Sequence, residues 1–110
     1  MAYDEDLANR VRELVGRESG VSEKRMFGGL AMLLDGNMAV AVRGKGGLLV
    51  RVVEAEIAKA AAESGAEPAV MGGRTMTGWF TVAPEAVAKA GDLRRWVTRG
   101  VKAARGQPRK

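Results

Sequence analysis

The sharpest chemical pattern in the chain is cationic. Residues 93–110 hold seven bases and no acid, while residues 1–92 hold eleven bases and thirteen acids, so the net +5 is the sum of +7 and −2. At a helical period of about 3.6 residues, Arg94, Arg95, Arg99, Lys102 and Arg105 share one side of Leu93–Arg105. Leu93, Trp96, Val97, Gly100, Val101 and Ala104 share the other. Such a strip can meet phosphate backbones, anionic surfaces or acidic proteins. It is equally what a helix packed by its apolar side shows to water, and its cations also suit the negative pole of the helix dipole.

Other chemistry is sparse. With no histidine and no cysteine, the chain lacks the usual general base near neutral pH, thiol nucleophiles and the commonest zinc ligands. Serine–histidine and cysteine–histidine catalysis are excluded within it. Glu54, Glu56, Glu63, Glu67, Glu85 and Asp92 are scattered, and only Glu56 and Glu63 share a helix face, two turns apart. No pair has the spacing that acid–base work or a metal requires. Gly44-Lys45-Gly46-Gly47 lacks the length and the following helix of a phosphate loop and reads as a hairpin turn. Gly72-Gly73-Arg74 could present two amides and a guanidinium to an anion, given a suitable backbone geometry. In Arg25-Met26-Phe27-Gly28-Gly29 the glycines either bare a backbone surface beside a Phe anchor or permit a turn or bulge.

These residues need a scaffold. Leu7, Val11, Leu14 and Val15 form one stripe of a helix over about Asp4–Gly16, with acids in its first turn. Ser22–Phe27, Leu30–Leu34, Met38–Arg43 and Leu48–Val52 are short apolar runs separated by glycine, with Asp35-Gly36-Asn37 a hairpin signal. Glu54–Ser64 is alanine-rich and helical, closed by Gly65 and Pro68. Ala69–Met71 and Thr75–Val82 read as strands. In the second, Met76, Phe80 and Val82 alternate with Thr75, Thr77, Trp79 and Thr81. Pro84 starts a short helix, and Asp92 is placed to cap the last one, Leu93–Arg105. The expected fold is α+β: about six antiparallel strands in the order α-β-β-β-β-α-β-β-α, with helices packed on the sheet. Residues 1–105 form one domain, and residues 106–110 are expected to be a disordered basic tail.

Three blocks give this pattern a family resemblance. Arg25-Met26-Phe27-Gly28-Gly29 with Asp35-Gly36-Asn37-Met38, then Trp79-Phe80-Thr81-Val82-Ala83-Pro84-Glu85, then Leu93-Arg94-Arg95-Trp96 resemble the TfoX (Sxy) N-terminal domain family in order and spacing. The likeness covers about residues 5–104. It departs at Leu30 and Ala31, where the family often has tyrosines, and at Gly78, which displaces part of an aromatic pair. Full-length members are bacterial regulators of natural competence that act with a transcription activator and carry a second domain. The resemblance therefore implies a stand-alone N-terminal domain.

The expected function is a non-enzymatic interaction or regulatory module with a protein partner. Nucleic-acid binding through Arg94, Arg95, Arg99, Lys102 and Arg105 is the alternative. Arg25, Met26, Phe27, Gly28 and Gly29 are expected to be structural. No cofactor, metal or membrane contact is expected. The acidic N-terminus does not resemble a signal peptide, and the chain is expected to be cytoplasmic, as a monomer or homodimer.

Overall fold

The structure, a computed structural model, describes residues 3–26 and 28–108. Its elements follow the expected order: α1 (Glu5–Val15), β1 (Val21–Met26), β2 (Gly29–Leu34), β3 (Asn37–Val42), β4 (Leu48–Arg51), α2 (Ile57–Ala61), β5 (Ala66–Met71), β6 (Arg74–Val82) and α3 (Ala90–Arg105). Single 3-10 turns at Glu54–Glu56 and Pro84–Val87 lead into α2 and toward α3. The alanine-rich helix is therefore shorter than its composition suggests. The Asp4 carboxylate accepts from the amides of Asp6 and Leu7, which fixes the start of α1. Asp92 is not the cap of α3. That helix begins two residues earlier, and Asp92 lies inside its first turn.

All six strands form one antiparallel sheet in the order β1-β2-β3-β4-β6-β5. Asp35 (φ 51°) and Gly36 (φ 86°) make the two-residue turn between β2 and β3, both with the positive φ that the hairpin twist demands. The pairings sort side chains into rows across the sheet. Leu30, Val42, Leu48 and Val82 lie in one row, and Met32, Val40, Val50 and Phe80 lie in the next. Both rows are buried beneath α1 and α3. Leu7, Val11 and Val15 of α1 and Leu93, Trp96 and Val97 of α3 close this core.

Trp96 is fully buried, with its ring 6.3 Å from that of Phe80 and tilted by 49°. An aromatic side chain of this size contributes about 4–6 kcal/mol through burial. Gly100 lets α3 approach β3: a Cβ there would stand 2.2 Å from the Ala39 carbonyl oxygen.

The other face carries no helix among the described residues. Lys24, Ala31, Ala41, Leu49, Thr81 and Glu67 form its central row, one residue from each strand. Near Gly78 this regular lattice breaks. Pro68 pairs with Phe80 but Ala69 pairs with Met76, so Thr77, Gly78 and Trp79 bulge out of the β5 ladder. Gly78 takes φ +85°, accepts a 2.7 Å hydrogen bond at its carbonyl from the Val52 amide, and any side chain there would be strained. Simple alternation would put Met76 with Phe80 and Val82. Instead the bulge shifts the parity, and Met76 joins Trp79 on the helix-free side.

Candidate functional site

The five cations singled out in the sequence lie along α3, but four are held by acids from elsewhere in the chain. Arg95 forms a two-pronged pair with Glu63 (Nη2–Oε1 2.6 Å, Nε–Oε2 3.0 Å) and reaches Asp92 at 3.0 Å. Arg99 also pairs with Glu63 and lies 3.8 Å from Glu56. Lys102 binds Glu56. Arg105 spans Asp35 (3.0 Å), Glu18 (3.1 Å) and the Ser19 carbonyl (2.8 Å). Arg94 is exposed and forms no ion pair among the described residues. Four cations thus meet five carboxylates, and the surface depression along this face is lined by Glu56 as well as by the bases.

Arg99 departs from its expected place on the solvent side. Its side chain is only 10 % exposed, and its guanidinium lies over the Trp96 ring at 4.6 Å. The delocalised, weakly hydrated guanidinium tolerates that position because it stacks on the ring and meets a carboxylate at its edge. The hydrogen bond from Arg95, assisted by Arg99, holds the Glu63 carboxyl below its ordinary range against the opposing effect of burial. Lys102 does the same to Glu56. Glu23 is lowered by Arg12, a pair that ties β1 to α1. The cationic strip is therefore also a clamp, fastening the α2 region and the β2–β3 turn to α3.

The glycine motif serves a different region. Arg25 is exposed, Met26 half-buried, and Gly28 makes the turn into β2. Gly29 packs so tightly that a Cβ would lie 2.2 Å from the Val42 carbonyl oxygen. Phe27 lies outside the described residues. The tail residue Pro108 accepts a 2.8 Å hydrogen bond from Asn37, while Arg109 and Lys110 also lie outside the described residues.

Sequence reasoning did not find the cavity of about 320 Å³ on the helix-free face. Beyond the Gly78 bulge, the β5–β6 hairpin turns over the sheet. Val70, Met71 and Met76 there share the cavity with Met26 of β1, although β1 and β5 are opposite edges of the sheet. Met38, Leu49 and Trp79 form much of its floor. Arg43 and Lys45 enter from the β3–β4 turn. Arg51 lies 5.5 Å from the Trp79 ring centroid. Val70 and Met71 are 61 % and 42 % exposed. Four of the six methionines meet here, and thioether side chains adapt readily to differently shaped apolar ligands. The four come from four different strands, β1, β3, β5 and β6, and the displaced parity at Gly78 hides one of them.

No helix among the described residues is long and apolar enough to cross a membrane. No group of three or more acidic side chains among them could hold a metal ion. The family model described as the TfoX N-terminal domain matches residues 13–104. No curated protein and no solved structure shows significant similarity to the chain.

Proposed function

The chain belongs to the TfoX N-terminal domain family, and from that premise we propose that it is a non-enzymatic regulatory interaction domain whose docking surface is the helix-free sheet face. The methionine-lined cavity beneath the β5–β6 hairpin carries this reading. It is concave, mainly apolar, provided with a few polar groups, and opened to the surface at the exposed Val70 and Met71. Those are the ordinary attributes of a binding site. The chain's chemistry supports a role without catalysis: it has neither histidine nor cysteine, and the acids of shifted proton affinity, Glu23, Glu56 and Glu63, are engaged in ion pairs. Direct nucleic-acid binding by α3 is the weaker reading, because phosphate would have to compete with carboxylates already seated on Arg95, Arg99, Lys102 and Arg105.

A photo-crosslinking residue introduced at Val70 or Met71 in the host cell tests this. A discrete protein adduct is expected there and not from the same probe at Arg94. Nucleic-acid adducts at Arg94, with none from the sheet face, would reverse the assignment.

A further inference from the structure

We propose that the cavity receives an acidic, amphipathic peptide segment of a partner protein, with an apolar side chain among the methionines and a carboxylate between Arg43 and Lys45. This proposal rests on the interaction reading above and specifies the chemistry of the ligand.

Charge complementarity carries it. Every ion pair in the described structure lies on the helix side or at the α1–β1 contact. On the helix-free side, Arg43, Lys45, Arg51 and Arg74 have no carboxylate partner among the described residues, and the central row contributes one acid, Glu67. Among the described residues Arg43 reaches only the Gly46 carbonyl, at 3.5 Å. Two of these cations line the cavity itself, beside Met26, Leu49 and Trp79. A ligand that filled the apolar part alone would bring these charges close to an uncompensated, drying surface, whereas one bearing a carboxylate would satisfy them. Unpaired cations at the edge of an apolar site also steer acidic partners toward it. Val70 and Met71 line the cavity and are also exposed, so its apolar wall opens onto the surface, where a peptide can continue past it.

Trp79 lines the cavity and Trp96 is sealed in the core, so ligand-induced changes in intrinsic fluorescence report on Trp79. The full chain is used to select short random peptides by display, and the enriched sequences are synthesised and titrated. Enriched peptides are expected to combine a large apolar residue with nearby Asp or Glu and to shift Trp79 emission. The double variant Arg43→Gln/Lys45→Gln should weaken them roughly ten-fold and flatten their salt dependence. Met71→Asp, at an exposed position, should abolish binding without altering the fold. Enrichment of apolar peptides without acids, sensitive to Met71→Asp but not to Arg43→Gln/Lys45→Gln, would overturn the acidic ligand and leave the docking face standing. Failure to enrich any peptide would also overturn it, even if crosslinking at Met71 captured a folded partner. A single-stranded oligonucleotide that bound this face more tightly than the acidic peptides would transfer the cations to phosphate recognition.

Discussion

Two arginine–tryptophan stacks occur among the described residues, and their surroundings differ. Arg99 lies over Trp96 at 4.6 Å in the core boundary, with Glu63 on its charged edge and Glu56 close by. Arg51 lies over Trp79 at 5.5 Å on the helix-free face, with no carboxylate partner among the described residues. In the first stack every charge is answered from within the chain, and the ring is buried. In the second, both the apolar surface and the charge remain available. The same pair of side chains thus fastens the fold on one side and advertises a surface on the other. What distinguishes them is where the acids have been placed.

The largest expected difference concerns the two rings. Trp96→Ala should cost about 3–5 kcal/mol, the range for an aromatic residue removed from a packed core. Trp79→Ala should cost less than about 1.5 kcal/mol, since its ring is partly exposed. Denaturant titrations of both variants measure this, and equal losses would erase the comparison. Gly100→Ala comes next, because the new methyl meets the Ala39 carbonyl and must push α3 off β3, at about 1–3 kcal/mol.

The charges give smaller effects. Glu63→Gln strips both Arg95 and Arg99 of their shared partner and should destabilise by about 2 kcal/mol at neutral pH. Its pH dependence follows from the lowered folded pKa. The stabilisation is fully present above the unfolded value of about 4.3 and is lost as pH falls through the folded value. Acid titrations should therefore show wild type and variant converging below about pH 4. Arg51→Gln and Arg94→Gln should each change stability by less than about 0.5 kcal/mol. A large loss from Arg51→Gln would mean that the second stack is structural after all.

The order of elements was legible because glycine and the apolar period mark it. Asp35-Gly36 announced a hairpin, and the Leu93–Ala104 stripe correctly placed Trp96 in the core. The fate of the cations was not legible. A wheel drawn for α3 alone cannot show that Glu63, far away in sequence, sits beside Arg95 and Arg99. Glu56 and Glu63, seven residues apart, were the available signal, although they flank the short α2 at its two ends and do not share one of its faces. The cavity was hidden for another reason. Strand alternation assumes an unbroken ladder, and the bulge at Thr77-Gly78-Trp79 reverses the side on which Met76 falls.

The position of α3 in the chain also matters during synthesis. Its Trp96, Leu93 and Val97 cover strands that end at Val42 and Arg51, so β3 must wait for roughly sixty more residues before its apolar side is covered. At ordinary elongation rates that delay is about 3–12 s, far longer than the microseconds a hairpin needs to form. The β2–β4 meander can therefore pair on the ribosome while its Val- and Leu-rich side is still bare except where α1 shields it. The nascent chain passes through a stage in which both sides of the sheet are adhesive, and only one of them is later covered by α3.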